Sequence, residues 1–469
     1  MPRGGCGTGV CFSFVTSRAA LTSSTRRGWW RPHPAQAIVF GFAGAILAGT
    51  ALLLLPFSAA DGRSTGIVDA LFTATSAVCV TGLTVLDTAT HWSGFGLAVI
   101  MLLIQLGGLG IMIFASLVGL LIARRFSMRA RMTAAVEARA LSTRDVKGLV
   151  RGIVLMSLTI EAVVFAFLFP RFLFEYDYGI GEAAWHALFH SVSSFNNAGF
   201  ALYSDNLIPF AADPFIVLPI CGAVILGGLG FPVLLQLRKE FRKPLHWSMN
   251  TRIMLWGTVV LLVAGTVYIT ALEWSNDRTF GTYPPADRIL MGFFHAVQTR
   301  TAGFNSVDIG QMHDETWLGM DVLMFIGGGP AGTAGGIKVT TFAVLFFIMW
   351  TELRGEAAVN IFGKRLSRAV HRQAITVVLV ALGAVMTGTI TLMIMTGDGL
   401  DEVLFESISA FATVGLSTGI TADLPPGGDI VLIILMFLGR LGPLTLGSAL
   451  ALRERRILYE LPKERPAIG

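Results

Sequence analysis

Four short stretches of this 469-residue chain resemble one another, and each is centred on a single glycine. They read VCVTGLT, NNAGFAL, TRTAGFN and ATVGLST around the glycines Gly82, Gly199, Gly303 and Gly415. A phenylalanine precedes each of these glycines by ten residues, at Phe72, Phe189, Phe293 and Phe405. A further glycine or glycine cluster follows each stretch, at Gly107, Gly227, Gly327 and Gly439. Four long copies of one unit predict a pseudo-fourfold assembly, because the unit is far longer than the repeats of stacked arrays.

The composition places this repeat in a membrane. Hydrophobic residues make up 54% of the chain and charged residues only 14%, whereas soluble domains carry about a quarter charged residues. Several apolar runs approach the ~20 residues that a membrane-spanning helix needs. The chain is therefore expected to be an all-α polytopic membrane protein. Its four cysteines have the spacing of neither a metal site nor a disulfide framework.

Each copy is expected to run as a spanning helix, a half-helix too short to cross, a loop with the central glycine, and a returning span. The expected half-helices are residues 67–80, 182–195, 286–298 and 401–411. The expected pairs of spans are 35–55 with 95–122, 149–169 with 214–235, 253–272 with 317–350, and 374–395 with 430–452. This gives eight full spans, in four parallel span–pore-helix–span repeats around one pseudo-fourfold pore.

The chain divides accordingly into four repeats between two tails. The repeats are expected at residues 35–123, 148–238, 252–352 and 372–453, with a cytoplasmic tail at 454–469. The first 34 residues contain five arginines and no acidic residue. A disordered basic tail is the expectation for residues 1–34, and a transit peptide is the alternative because such segments are rich in arginine and serine.

Charge sets the expected orientation. Arginines and lysines cluster in the segments between the copies, whereas acidic residues gather on and after the half-helices. The positive-inside rule therefore places the basic segments and both termini in the cytoplasm, and the half-helices towards the outer side of the cell membrane. All four copies then point the same way, so the inverted repeats that are common in rocking transporters are not expected.

The four glycine stretches are suited to line a pore. A loop at membrane depth is tolerated only where protein buries it or where it lines a watery cavity. Glycine allows a positive φ, and rings of backbone carbonyls that replace an ion's hydration shell form the filters of potassium channels. One glycine per copy predicts a shorter filter than the two-glycine TVGYG type, and four ordinary glycine turns are the alternative. The candidate ion-binding residues are Val80, Thr81, Gly82, Asn197, Ala198, Gly199, Thr301, Ala302, Gly303, Thr413, Val414 and Gly415.

The returning span of the third copy is expected to be broken. Residues 327–336 read GGGPAGTAGG, and in a helix interior each glycine costs ~1 kcal/mol and a proline ~3 kcal/mol relative to alanine. A flexible kink without a gating role is the alternative interpretation. Gly327, Gly329 and Gly332 also match the G-x-G-x-x-G spacing of dinucleotide sites, but the βαβ context that such a site requires is missing.

Three ionisable residues are expected within the spans. Arg440 falls near the middle of the last span, Lys338 follows the glycine-rich break, and Glu161 lies inside the first span of the second copy. A charge at membrane depth is costly and usually functional, because it faces a cavity or a partner. A structural salt bridge is the alternative for Arg440, and the sequence does not identify its partner.

The motifs SSFNNAGF, TRTAGF and ATVGLSTG, set in this four-copy pattern, resemble the Trk/Ktr/HKT superfamily of potassium transporters over about residues 35–455. The chain is most similar to the Ktr-type (KtrB-like) membrane subunit, because Trk-type subunits typically carry two additional N-terminal spans. Gly82 stands where sodium-favouring members often have serine. The resemblance therefore implies potassium as the transported ion, with sodium possible and no organic cofactor.

The resemblance also implies an intramembrane gating loop below the filter, and an arginine of the last span that bars the pore or anchors this loop. By this resemblance the gate residues would be Gly327, Gly328, Gly329, Pro330, Gly332, Gly335, Gly336, Lys338 and Arg440.

The chain has a predicted gate but no predicted soluble domain to drive it, so we expect a cytoplasmic partner. The resemblance implies a homodimer with one pore per protomer and a ring of nucleotide-binding (KtrA-like) regulatory subunits. The expected contacts are the basic segments Arg354–Arg372 and Arg453–Arg456. Anionic membrane lipid is the alternative partner for these charges, and no nucleic acid is expected.

Two other functions compete with this interpretation. A secondary cation cotransporter would require inverted repeats and paired acidic residues within the membrane, and the sequence shows neither. A membrane enzyme or scaffold would require a catalytic or metal-binding constellation. His186, His190 and His295 lie on or near half-helices without metal-site spacing, so the chain is not expected to be an enzyme.

Overall fold

A computed structural model describes residues 34–131, 143–356 and 358–442. The expected tail 1–34 lies almost wholly outside these residues, and so do the tail 454–469 and the basic segment Arg453–Arg456. The described chain is mostly helical. Its helices are α1 (Pro34–Leu53), α2 (Ile67–Cys79), α3 (Thr88–His91), α4 (Gly94–Arg131), α5 (Thr143–Phe174), α6 (Ile180–Phe195), α7 (Pro214–Leu229), α8 (Phe231–Glu240), α9 (Met249–Glu273), α10 (Pro285–Gln298), α11 (Asp314–Phe325), α12 (Val339–Leu353), α13 (Arg368–Thr396), α14 (Leu400–Ala412) and α15 (Pro426–Leu441).

Short helices lie where the sequence predicts the four half-helices. The helices α2, α6, α10 and α14 begin and end within two residues of the predicted bounds. Each begins directly after a glycine or a proline and carries an acidic residue in its first turn, which the helix dipole favours. These first-turn acidic residues are Asp69, Glu182, Asp287, Asp401 and Glu402.

The short helices are packed in a circle. Each one contacts the long helix that precedes it in its own copy, and also a helix from another copy. The helix α6 packs on α4 of the first copy, α10 on α7 of the second, and α14 on α11 of the third. The circle closes because α2, the first short helix, packs on α15 at the end of the described chain.

The third short helix is shifted by one residue relative to the others. The side chains of Phe72, Phe189 and Phe405 are completely buried, as expected for equivalent positions. In the third copy Phe294 is the completely buried residue, and Phe293 is only partly buried. The ten-residue spacing in the sequence therefore does not identify the buried phenylalanine of this copy.

Two returning spans are interrupted, one of which the sequence did not predict. The expected span 214–235 is not one straight helix, because α7 and α8 meet at Gly230 with a bend of 99°. Gly230 has a φ of +88°, which glycine adopts without steric cost, and Pro232 favours the start of a new helix. In the third copy no helix covers residues 326–338, as the glycine-rich sequence predicts.

Four described helices are long and apolar enough to cross a membrane, or five if the bent pair α7 and α8 is one span. The four are Gly94–Ile113, Lys147–Phe174, Met249–Glu273 and Arg368–Thr396. Shorter apolar helices occur as well, including Ile38–Leu53 and Val339–Leu353. The count of eight spans and the repeat boundaries therefore stay predictions.

A small hairpin joins α12 to α13. Strand β1 (Asn360–Ile361) pairs antiparallel with β2 (Lys364–Arg365), with Asn360 opposite Arg365 and Ile361 opposite Lys364. The side chain of Ile361 is buried, whereas Lys364 and Arg365 are exposed. The hairpin therefore presents part of the basic segment Arg354–Arg372 at the surface.

Candidate functional site

The four glycine stretches adopt one backbone conformation. We call the segments 80–82, 197–199, 301–303 and 413–415 together the glycine ring. Their glycines all have positive φ angles, namely +96° at Gly82, +70° at Gly199, +76° at Gly303 and +95° at Gly415.

The residue two positions before each glycine also has a positive φ. These angles are 55° at Val80, 59° at Asn197, 79° at Thr301 and 51° at Thr413. Such a conformation is unfavourable for side-chain-bearing residues, and most of all for β-branched ones. Nothing in the sequence predicts this conformation at Val80, Thr301 and Thr413. Strained backbone of this kind is typical of functional sites, where the surrounding structure imposes it.

The ring is closed by contacts from glycine to glycine around the circle. A Cβ atom added to Gly82 would lie 2.5 Å from the carbonyl oxygen of Ala198, and one on Gly199 would lie 2.4 Å from that of Ala302. A Cβ atom on Gly303 would lie 2.2 Å from the carbonyl oxygen of Val414, and one on Gly415 would lie 2.1 Å from that of Thr81. A side chain at any of these four positions would force the neighbouring backbone carbonyl to shift, so glycine is strongly favoured at all of them.

All twelve candidate ion-binding residues therefore come together in this ring. The eight of them that are not glycine have no exposed surface. Gly199 and Gly303 are buried, whereas Gly82 and Gly415 are partly exposed. A cavity of about 230 Å³ lies at Gly82 and Gly199 and is also lined by the loop after α2. The ring thus borders a small cavity that is reached past this loop.

Serines on the short helices support the ring, and sequence reasoning missed them. The amide of Gly82 donates to the hydroxyl of Ser76 at 3.1 Å, and the amide of Gly415 donates to that of Ser409 at 3.1 Å. In the second copy the Ser193 hydroxyl donates instead to the carbonyl of Phe200 at 2.8 Å. A serine six residues before the glycine in three copies was the available signal; the third copy has Val297 there.

A buried carboxylate, Glu406 of α14, holds the segment that follows Gly415. It accepts hydrogen bonds from the Ser417 hydroxyl, from the Thr418 amide at 3.0 Å and from the Thr421 hydroxyl at 2.8 Å. Asp321 of α11 is also buried and close enough for its charge to interact with Glu406. The structure thus brings two acidic residues together that the sequence had not paired.

The 326–338 loop between α11 and α12 fits into the bend of the second copy. The amides of Gly329 and Thr333 donate to the carbonyls of Gly228 and Gly227, at 2.7 Å and 3.2 Å. In return the amide of Phe231 donates to the carbonyl of Ala331 at 3.1 Å. The two interrupted spans therefore satisfy each other's free backbone groups.

The same loop lies against the glycine ring. The Thr333 hydroxyl is 3.0 Å from the side-chain amide of Asn197. A Cβ atom on Gly335 would lie 2.0 Å from the hydroxyl oxygen of Thr413. The loop and Arg440 also line a second cavity of about 510 Å³, separate from the one at Gly82. The loop therefore contacts the second segment of the ring through Thr333 and the fourth segment through the predicted gate residue Gly335.

Arg440 binds backbone carbonyls rather than a carboxylate. Its side chain is 3% exposed, and its guanidinium donates to the carbonyl of Thr333 and, at 3.3 Å, to that of Gly107. Within the described residues no carboxylate forms an ion pair with it, so the structural salt bridge considered from the sequence is absent there. Lys338 likewise donates to the carbonyls of Ala334 at 2.6 Å and Gly335 at 3.1 Å.

The loops that follow the glycine ring in the first and second copies are joined at Asp87. This carboxylate accepts hydrogen bonds from the Ser204 hydroxyl at 2.6 Å, the Thr90 hydroxyl at 2.7 Å and the Ala89 amide at 3.0 Å. Partial burial raises the pKa of Asp87, but these three hydrogen bonds outweigh that effect and hold the pKa below its ordinary value. Asp87 therefore stays ionised beside the cavity at Gly82.

The histidines do not assemble into a site. His190 is buried and stacks on Tyr203, and His295 lies 3.2 Å from the Ser306 hydroxyl. In the described ranges no group of three or more histidine, cysteine or acidic side chains could hold a metal ion.

Comparisons with known proteins agree with this architecture. A family model described as TrkH, cation transport protein, matches residues 31–454. The chain is 41% identical over 434 residues to Ktr system potassium uptake protein B of Vibrio alginolyticus, covering 92% of this chain and 94% of that one. It is 34% identical over 458 residues to potassium/sodium uptake protein NtpJ of Enterococcus hirae, covering 96% and 100%.

The crystal structure of the potassium transporter TrkH from Vibrio parahaemolyticus has a similar fold. It aligns with a TM-score of 0.73 at 17% identity, covering 91% of this chain and 86% of that one. The resemblance indicated by the sequence motifs is thereby confirmed. The chain belongs to the TrkH family of cation transport proteins.

Proposed function

We propose that this chain is the potassium-translocating membrane subunit of a potassium uptake system. The observation that carries the proposal is the closed circle of Gly82, Gly199, Gly303 and Gly415, each packed on a carbonyl of the next copy. The names of the relatives support it, since Ktr system potassium uptake protein B is similar over nearly the whole chain. Sodium is a second candidate ion, because one relative is named a potassium/sodium uptake protein.

In this proposal the ring acts as the selectivity filter. Backbone carbonyls would replace the hydration shell of the ion. The hydroxyl oxygens of Thr81 and Thr413 are buried and have no hydrogen-bond partner among the described residues. Buried polar atoms without a partner are rare, so these two oxygens fit a place where an ion or its water passes. A negative membrane potential favours entry by about 2.3 kcal/mol per charge per 100 mV.

The 326–338 loop acts as the gate. It lies beside the ring. Arg440 donates hydrogen bonds to Thr333 of the loop and to Gly107 of the first copy, and it thereby ties the loop to the first copy. Arg440 and Lys338 also bring positive charge to the second cavity, which disfavours a cation there. Opening therefore requires that the loop leaves the carbonyls of Gly227 and Gly228, and a partner must supply the differential free energy.

We further propose the assembly that the sequence predicts, with eight spans, both termini in the cytoplasm and a homodimer. A cytoplasmic nucleotide-binding ring would dock on the segment Arg354–Arg372, where the hairpin exposes Lys364 and Arg365. The relative's name, a protein B of a Ktr system, supports a partner subunit. Purification from the native membrane tests this proposal: a chain that is isolated alone, with flux indifferent to nucleotide and cytosol, contradicts it.

A secondary cation cotransporter is not favoured. Asp321 and Glu406 do form a buried acidic pair, which such a mechanism could use. However, hydrogen bonds from Ser417, Thr418 and Thr421 occupy the oxygens of Glu406, so this carboxylate is committed to holding the ring.

The proposal is tested by potassium uptake in a cell that lacks its own uptake systems. The variant Gly82→Ser places a side chain 2.5 Å from the Ala198 oxygen at a φ of +96°. We expect it to lower the potassium-to-sodium uptake ratio at least about fivefold, the equivalent of ~1 kcal/mol. The control Gly397→Ser also has a positive φ, of +79°, but has open space around it. Failure of the wild type to complement, or an unchanged ratio in Gly82→Ser, contradicts the filter assignment.

A further inference from the structure

One buried carboxylate is used neither by the ring nor by the gate. Glu161 lies in the middle of α5, is 5% exposed and borders a groove of about 600 Å³ between α5 and α6. A charged side chain at this depth is costly and usually has a functional reason. Its Oε1 accepts hydrogen bonds from the Ser157 hydroxyl at 2.6 Å and from Nε2 of Gln105 at 3.0 Å.

The bond from Gln105 fixes the orientation of that amide. Gln105 belongs to α4 of the first copy, and its Nε2 points at Glu161. Its Oε1 therefore faces the other way and accepts a hydrogen bond from Nδ2 of Asn196 at 2.7 Å. If the acceptor at position 161 were lost, the Gln105 amide could rotate and present its NH₂ group to the NH₂ group of Asn196, which is repulsive because both are donors.

Asn196 is directly joined to the ring. It precedes Asn197, the positive-φ residue of the second segment, and its Nδ2 also donates to the Val192 carbonyl at 2.9 Å. A Cβ atom on Gly108 would lie 1.9 Å from Oδ1 of Asn196, so α4 approaches here only because glycine leaves room. The equivalent positions of the other segments have Cys79, Arg300 and Ala412, which offer no such amide.

From these contacts we infer that Glu161 is a positioning residue of the ring, acting through Gln105 on Asn196. The relay ties the second segment to α4 of the first copy and to α5 of its own copy. It holds the backbone of Asn197 and Ala198, whose carbonyl oxygen packs on Gly82. The inference rests on the proposed role of the ring as a selectivity filter, which it refines by naming a determinant outside the ring.

The test measures the potassium-to-sodium uptake ratio of variants that break or keep the relay. In Glu161→Leu and in Gln105→Leu we expect the ratio to fall about two- to tenfold, as for the loss of one buried hydrogen bond. Glu161→Gln retains an acceptor oxygen and should keep the ratio. The double variant Glu161→Leu with Gln105→Leu should fall no further than either single variant, because both break one relay.

The control is Val164→Ala, which shortens a buried side chain of the same helix. It should lower the thermal stability in detergent without changing the ratio. Normal ratios in both leucine variants, while Gly82→Ser lowers the ratio, overturn the inference and leave the filter intact. Loss in Glu161→Gln equal to that in Glu161→Leu also overturns it, since charge rather than the relay would then matter. An unchanged ratio in Gly82→Ser contradicts the filter itself.

Discussion

The first and fourth copies differ from the second and third in how they hold the same ring. In the first and fourth, the short helix ends directly in the positive-φ residue, Val80 or Thr413. In the second and third, a residue of right-handed helical conformation, Asn196 or Thr299, lies between the end of the short helix and the positive-φ residue. The returning helix α15 is unbroken through Leu441, and α4 is unbroken as well, whereas both interrupted spans belong to the second and third copies.

This difference separates the ring from the part of the molecule for which we propose a gating role. The glycine contacts are nearly the same in all four copies, because the ring must close. The returning segments are free to diverge, because they lie behind it. The bend at Gly230 and the 326–338 loop bond to each other, and Arg440 of the fourth copy ties the loop to Gly107 of the first copy. The loop and the bend can therefore rearrange together once the hydrogen bonds of Arg440 are released. We therefore assign selectivity to the common ring and gating to the divergent pair.

The largest expected effect tests whether the ring glycines of the two pairs of copies are equally intolerant of a side chain. A Cβ atom on Gly303 or Gly415 would lie 2.2 Å or 2.1 Å from the next carbonyl oxygen. Overpacking of this kind costs about 1–3 kcal/mol, so we expect alanine at either position to reduce potassium uptake or selectivity at least about tenfold. Gly397→Ala is the control, because its surroundings are open. Full activity of either ring variant in an uptake assay would break the equivalence.

A smaller effect is expected from the divergent pair. Arg440→Gln removes the hydrogen bonds by which Arg440 joins Thr333 of the 326–338 loop to Gly107 of the first copy, and deletion of residues 331–334 removes part of the loop itself. Both should raise the basal potassium flux into proteoliposomes severalfold, while the ion preference stays that of the ring. Arg242→Gln is the control, as Arg242 is exposed after α8 and lies outside the proposed docking segment. A folded variant that conducts no faster than the wild type would contradict the blocking role.

The smallest effect distinguishes the supporting serines. In Ser409→Ala the partly buried amide of Gly415 loses its acceptor, which costs about 1 kcal/mol. In Ser193→Ala only a hydroxyl donor to Phe200 is lost, and the Gly199 amide is unaffected. Thermal unfolding in detergent and the ion ratio should both change more in Ser409→Ala. Equal changes in the two variants, or a larger change in Ser193→Ala, would contradict this difference between the two pairs of copies.

Local sequence determined much of the fold. The bounds of the short helices follow from the glycine or proline before each of them and from the glycine stretch after them. The break at residues 326–338 follows from the cost of glycine and proline in a helix. The positions of the ring glycines follow from their repetition, because a backbone conformation that excludes side chains leaves a mark on the sequence wherever it recurs.

Tertiary structure alone decided the partners. The carbonyl of Gly107 is 333 positions from Arg440, and the relay from Glu161 through Gln105 to Asn196 crosses two copies. The bend at Gly230 was missed because a glycine followed by a proline also occurs at ordinary helix kinks. The sharp bend is stabilised by the hydrogen bonds that the carbonyls of Gly227 and Gly228 accept from the 326–338 loop. Backbone carbonyls accept these bonds whatever their side chains are, so the sequence around them carries no trace of the donor that packing brings to them.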